Sequence, residues 1–200
     1  MRRVHPALVS SPRAARLFGR ERVLAKIRQA LAEGSAVTLV GAPGVGKTEL
    51  ALHVAAGGRS AVFVDLSSAH EPGDVIALVA HALDVRIGAE PIGAFRAALA
   101  ARVAMLVLHR CDFASEEARS LVAALSGTCS VVATSAVPLE LPDERVVEVE
   151  PLGQQGVDLF LARATAVEPS ATEAIRRIVD LCGGLPLAIE LAAAAQRSPH

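Results

Sequence analysis

The chain has 200 residues, a formal net charge of −1 and a hydrophobic fraction of 52%. This length suffices for one α/β domain with a sizeable core, or for one domain and a small appendage. The balanced charge argues against direct contact with nucleic acid. The sequence contains no uninterrupted apolar run of about eighteen residues, and no hydrophobic segment follows its basic start. We therefore expect neither a membrane span nor a signal peptide, no membrane partner, and a cytoplasmic location.

Residues 1–16 are rich in Arg, Pro and Ser and lack apolar periodicity, which predicts a flexible lead-in. From there to residue 150, helical apolar patterns alternate with short apolar strands. The predicted helices lie near residues 20–32, 49–56, 74–83, 92–102 and 115–125, and the predicted strands near 37–40, 60–66, 103–108, 131–134 and 146–149. Such alternation is typical of a parallel sheet with helices on both faces. After residue 150 the strands stop, and three helices are predicted near residues 153–166, 171–182 and 186–197.

One motif carries chemistry, and it lies between the first predicted strand and the helix that follows it. The segment from Gly41 to Thr48 fits the phosphate-binding pattern G-x-x-x-x-G-K-[ST] at every fixed position. Glycines let backbone N–H groups face the phosphates, and the next helix adds free N–H groups and its positive dipole end. Lys47 would reach the β- and γ-phosphate oxygens, and the Thr48 hydroxyl would help hold Mg²⁺. The predicted nucleotide-binding residues here are Gly41, Ala42, Pro43, Gly44, Val45, Gly46, Lys47, Thr48 and Glu49.

These observations predict an α/β fold of the P-loop NTPase type, divided into two units. Residues 17–150 are predicted to form a nucleotide-binding domain with a parallel sheet between helices. Residues 151–200 are predicted to form a small helical subdomain.

Four landmarks, in this order along the chain, resemble the NB-ARC-type STAND ATPases, which are AAA+-like P-loop proteins. They are Phe18 to Glu21, the P-loop, the strand from Val62 to Leu66, and the segment from Gly184 to Ala192 that opens the last helix. The last segment looks especially like the bacterial transcription-regulator branch. The resemblance spans about residues 17–197, which is nearly everything but the lead-in.

The resemblance implies a ligand and further site residues. It implies that ATP or ADP binds, with the segment from Leu17 to Arg20 along the adenine and Pro186 on the other side of the base. The predicted nucleotide site therefore also includes Phe18, Gly19, Arg20 and Pro186. As partners, the family suggests self-association or further regulatory domains.

Two catalytic positions of that family differ in this chain. The family's third strand ends in an aspartate that holds Mg²⁺ through water, and His109 stands in that place. The family's fourth strand is followed by an arginine that senses the γ-phosphate, and here Ala136 follows. Imidazole is a poor ligand for Mg²⁺, and losing one preorganised charge partner costs about 10²–10³ in rate. The resemblance therefore implies a nucleotide-binding switch with weak or no hydrolysis.

Two other functions stay open at the level of sequence. An active Mg²⁺-dependent ATPase would use Asp112, the carboxylate just beyond the third strand, as a catalytic residue together with Lys47, or would draw its acid from Glu116 or Glu117. An interaction domain that has lost its nucleotide is the second alternative, and the intact P-loop argues against it. Family members continue into a winged-helix domain that is absent up to His200, so the sequence represents either a fragment of a larger regulator or a stand-alone relic.

Overall fold

The computed structural model of the chain describes residues 16–33, 36–57, 60–102, 105–164 and 171–195. The predicted lead-in lies outside the described residues except for Arg16. Within these ranges no helix is both long and apolar enough to cross a membrane.

Five strands form one sheet in the order β2-β3-β4-β1-β5, and every neighbouring pair is parallel. The strands are β1 (Ala36–Val40), β2 (Ala61–Asp65), β3 (Met105–His109), β4 (Ser130–Ser135) and β5 (Arg145–Glu148). Because all strands run the same way, the carboxyl ends of β1, β3 and β4 lie along one edge of the sheet. The predicted parallel sheet is thus confirmed.

Helices cover both faces of this sheet. The helices of this unit are α1 (Glu21–Glu33), α2 (Lys47–Ala56), α3 (Asp74–Leu83), α4 (Pro91–Arg102) and α5 (Ser115–Leu125). One apolar core lies between the sheet and α1 and α2, and another lies between the sheet and α3, α4 and α5. The middle residues of the central strands, Leu106 to Leu108 of β3 and Val131 to Ala133 of β4, are apolar and buried because helices cover both faces of the sheet. Helix α2 follows β1 along the chain and packs across β4 and β3, which are the next strands of the sheet.

Three further helices form a second unit with its own small core. They are α6 (Gln155–Arg163), α7 (Thr172–Leu181) and α8 (Pro186–Ala195). Their buried side chains are Leu152, Leu159, Phe160, Ile175, Val179, Ile189 and Ala193. Gly184, with φ +65°, lies between α7 and α8. Its carbonyl accepts the Leu152 N–H at 2.7 Å, which joins this connection to the segment that precedes α6. A Cβ at Gly184 would overlap the Leu152 carbonyl, so only glycine permits this approach.

Candidate functional site

The P-loop connects β1 to α2 and is anchored in the apolar core by one of its side chains. The side chain of Val45 is fully buried in the core between the sheet, α1 and α2. Gly46 then turns with φ +98°, a conformation that favours glycine, and α2 begins at Lys47. The N–H groups of this first helical turn have no partner within the helix and point out of its end. The loop therefore presents an anion-binding helix end at the edge where the strands finish.

The ammonium of Lys47 lies over the loop itself. Its Nζ donates hydrogen bonds to the carbonyl oxygens of Gly41 at 2.6 Å and Ala42 at 3.1 Å. Burial lowers the pKa of the Lys47 ammonium, and the nearby Asp112 carboxylate opposes that effect. The lysine is thus held at the mouth of the loop, where a phosphate at the start of α2 would meet it.

The start of α8 faces the P-loop from the helical unit. The Leu187 N–H donates to the Gly44 carbonyl at 3.2 Å. A Cβ at Gly46 would come 3.9 Å from Cγ of Pro186, so the first residue of α8 lies directly above the loop. Proline suits this first helical position because it has no N–H to satisfy. The two units therefore meet at the phosphate-binding loop.

Between the two units lies a cavity of about 690 Å³, within the usual range for small-molecule sites. Of the residues predicted from sequence, those lining it are Phe18, Arg20, Pro43, Gly44, Gly46, Lys47, Thr48, Glu49, Asp112 and Pro186. The predicted residues that do not line it are Gly19, Gly41, Ala42 and Val45. His109 and Ala136, the two positions that differ from the resembled family, also line the cavity.

The two terminal nitrogens of the Arg20 guanidinium each donate a hydrogen bond to a backbone carbonyl. Arg20 is only 7% exposed, and it donates to the carbonyls of Glu150 and Val45, each at 2.7 Å. Burial lowers the pKa of Arg20. Its side chain thus ties the chain after β5 to the P-loop.

Phe18 lies where the two units and the cavity meet. Its ring packs against the core of the helical unit, and the Arg16 guanidinium lies 5.2 Å from the ring centroid. The apolar lining of the cavity continues with Leu152 and Leu159, whereas the polar lining comes from the P-loop and the strand ends. The cavity therefore has an apolar patch at Phe18, Leu152 and Leu159, whereas the P-loop and the strand ends line it with polar groups.

His109, the last residue of β3, is bonded to hydroxyls on both sides. Its Nδ1 lies 2.9 Å from the Thr134 hydroxyl on β4 and 3.2 Å from the Thr48 hydroxyl on α2. The Thr134 oxygen also accepts the Arg110 N–H at 3.1 Å, which links the hydroxyl to the residue that follows His109. The Phe63 ring stacks on His109 with 5.7 Å between ring centroids. The imidazole is therefore a fixed part of the site.

Burial is the largest effect on the pKa of His109 and lowers it, so the ring is neutral at pH 7. This arrangement fits Mg²⁺ poorly, because the Thr48 hydroxyl meets a nitrogen rather than a carboxylate oxygen. Among the described residues, no three His, Cys, Asp or Glu side chains form a metal-binding group.

Several cavity residues were not predicted from the sequence. Arg110 and Thr134 line the cavity at the strand ends, and Arg163 and Glu190 line the side formed by the helical unit. The Nε of Arg163 donates to Oε1 of Glu190 at 3.0 Å, which joins α6 to α8 beside the cavity. Arg110 and Thr134 could have been found, since both lie at the carboxyl ends of predicted strands, where ligands bind in parallel sheets.

No protein-family model matches the chain. Over 188 residues it is 34% identical to a Mycobacterium tuberculosis protein that bears the name of an HTH-type transcriptional regulator, covering 86% of this chain and 21% of that protein. It is 30% identical over 186 residues to the regulatory protein AfsR of Streptomyces griseus, covering 83% of this chain and 19% of AfsR. The chain thus spans about a fifth of the length of these two relatives.

Two solved structures share its architecture. A STAND protein of Pyrococcus horikoshii with a tetratricopeptide repeat sensor matches 97% of this chain and 32% of its own, with a TM-score of 0.63 and 18% identity. A Walker-type ATPase of Pyrococcus abyssi matches 91% and 68%, with a TM-score of 0.67 and 15% identity. The chain has the fold of the STAND ATPases. The predicted α/β P-loop fold and the resemblance to the bacterial regulator branch are confirmed.

Proposed function

We propose that the chain is an ATP- or ADP-binding switch module of a STAND-type bacterial regulator, with weak or no hydrolysis. One observation carries the proposal: the P-loop with Lys47 faces Pro186 of the helical unit across a cavity of about 690 Å³. The loop and the start of α2 offer N–H groups and one ammonium to phosphates. Phe18 and Pro186 offer apolar surface to an adenine base.

The switch character follows from where the cavity lies. It is lined by residues of both units, and the Leu187–Gly44 hydrogen bond joins those units beside it. A nucleotide that contacts both the P-loop and α8 binds most tightly when the two units are held together. Its binding therefore stabilises that arrangement over one in which the units are apart, by an amount set by the difference in its affinity for the two. Nucleotide binding would thus report to any part of a longer protein attached after α8.

Weak hydrolysis follows from the side chains at the strand ends. Hydrolysis needs a positioned water and charge neutralisation in the transition state. His109 places a neutral ring at the end of β3, and Ala136 places a methyl group after β4. The chain keeps the groups that hold phosphates, but it has no carboxylate at the end of β3 and no arginine directly after β4.

An active ATPase is the second candidate, because Asp112 lines the same cavity as Lys47 and acts on its pKa. Asp112 lies on an exposed 3₁₀ turn, Cys111–Ala114, beyond the end of β3. A Mg²⁺-dependent turnover that is lost in Asp112→Ala would favour this candidate over the switch.

The wider setting is also a proposal. We propose that residues 17–150 and 151–200 act as the nucleotide domain and its helical subdomain in the cytoplasm. This chain spans about a fifth of the length of the two regulator relatives. Self-association, further regulatory domains and any contact with DNA would then belong to the other parts of such a longer protein. The net charge of −1 supports placing DNA contact elsewhere.

Thermal unfolding tests nucleotide binding directly. A ligand at about 100 times its Kd stabilises the folded state by about 2.7 kcal/mol, which for a domain of this size raises Tm by about 5–10 °C. We expect this shift with ATP and with ADP, read with an extrinsic dye because the chain lacks Trp and Tyr. Pyrophosphate, which lacks the base, should give a smaller shift. Equal unfolding curves with and without ATP and ADP would contradict the proposal.

A further inference from the structure

Arg110 is a cation of the cavity that neither the motif nor the resemblance to known ATPases identified. It follows β3 directly and lines the cavity together with Lys47 and Thr48. Its guanidinium carbon lies 4.1 Å from the centroid of the Phe113 ring. Phe113 is itself 43% exposed, so the guanidinium rests on a ring at the protein surface.

The backbone of Arg110 adopts a conformation that arginine rarely takes. Its φ is +61°, in the left-handed region, where a residue with a Cβ is strained. Two hydrogen bonds hold it there: its N–H donates to the Thr134 hydroxyl at 3.1 Å, and its carbonyl accepts the Phe113 N–H at 3.2 Å. Strain of this kind is found preferentially at functional sites. Here the positive φ of Arg110 sets the direction of the chain directly after the end of β3.

The guanidinium of Arg110 has capacity left for a ligand. Among the described residues no carboxylate lies within ion-pair distance of it. Its contact with Phe113 is a weak cation–π interaction, because the position is exposed. A charge-assisted hydrogen bond to a phosphate is stronger and can be bidentate for arginine. A phosphate within reach would therefore outcompete the ring.

We propose that Arg110 binds the terminal phosphate of ATP and makes the site prefer ATP over ADP without a metal ion. The proposal rests on the proposed function, since it needs the phosphates to lie on the P-loop. Lys47 from α2 and Arg110 from the end of β3 then contribute two cations to one cavity, whose lining also includes the neutral His109. Arg110 supplies from β3 a charge that Ala136 does not supply after β4.

The test compares ATP and ADP affinities in EDTA for the parent and four variants. Arg110→Ala removes the guanidinium, and Arg110→Gly removes it while accepting the positive φ, which guards against a folding defect. Arg110→Lys keeps the charge without the planar fork. Arg86→Ala is the control, because Arg86 is exposed and lies outside the cavity lining.

We expect Arg110→Ala and Arg110→Gly to raise the Kd for ATP by about 10- to 100-fold. The Kd for ADP should change by less than about threefold, Arg110→Lys should lie between, and Arg86→Ala should match the parent. An equal loss for ATP and ADP, or no loss, in variants that melt like the parent would overturn the role of Arg110 alone. A parent that binds neither nucleotide would overturn the proposed function together with it.

Discussion

A Lys47→Ala variant is expected to bind ATP and ADP about 100-fold more weakly than the parent. Lys47 is the one ammonium on the cavity lining, and a hydrogen bond between charged groups contributes about 1.5–3 kcal/mol, where each 1.4 kcal/mol is tenfold in Kd. Anisotropy of fluorescently labelled ATP and ADP measures both affinities.

The sequence supplies a matched control, because Lys26 is its only other lysine. Lys26 is exposed on α1 and does not line the cavity, so Lys26→Ala should bind like the parent. Unfolding without nucleotide checks stability, since Lys47 also bonds the carbonyls of Gly41 and Ala42. A folded Lys47→Ala variant with parental affinity would show that nucleotide does not lie on the P-loop.

A His109→Asp variant is expected to make nucleotide binding depend on Mg²⁺. In the parent, His109 Nδ1 lies 3.2 Å from the Thr48 hydroxyl. The substitution therefore places a carboxylate at the end of β3, close to that hydroxyl. Carboxylate and hydroxyl oxygens are the hard ligands that Mg²⁺ prefers. We expect Mg²⁺ to strengthen ATP binding by about 10-fold or more in the variant, or about 1.4 kcal/mol, as measured by titrations at fixed Mg²⁺ concentrations.

His109→Asn is the control for that substitution, because it has nearly the same shape as Asp without the charge. It should remain as insensitive to Mg²⁺ as the parent. If His109→Asp and the parent give the same magnesium titration, the role assigned to the end of β3 is wrong.

Local patterns predicted the elements well, because their causes are local. The helix predicted at residues 74–83 is observed as Asp74–Leu83, preceded by a turn containing Pro72 and Gly73. The P-loop motif combined a strand, a glycine-rich turn and a helix start in one short segment. Its geometry therefore followed from adjacent residues.

The rest of the site depends on contacts between distant segments. Alternating strands and helices do not determine that β3 and β4 lie between β2 and β1, and this order is what brings His109 beside Thr134. The resemblance assigned Arg20 to the base-binding segment, whereas its guanidinium bonds two backbone carbonyls 25 and 130 residues away. Arg110 lies directly after a predicted strand, where ligands bind in parallel sheets, but its positive φ and its contact with the Phe113 ring are properties of the folded chain.

The proposed site has an intact phosphate-binding loop and binds nucleotide without relying on a metal ion. Titration of the purified parent chain with labelled ADP and ATP, in Mg²⁺ and in EDTA, tests it most directly. We predict that both nucleotides bind and that EDTA changes each Kd by less than about threefold, or about 0.7 kcal/mol. Binding that collapses in EDTA would contradict the account, since it would mean that a working metal site survives beside His109.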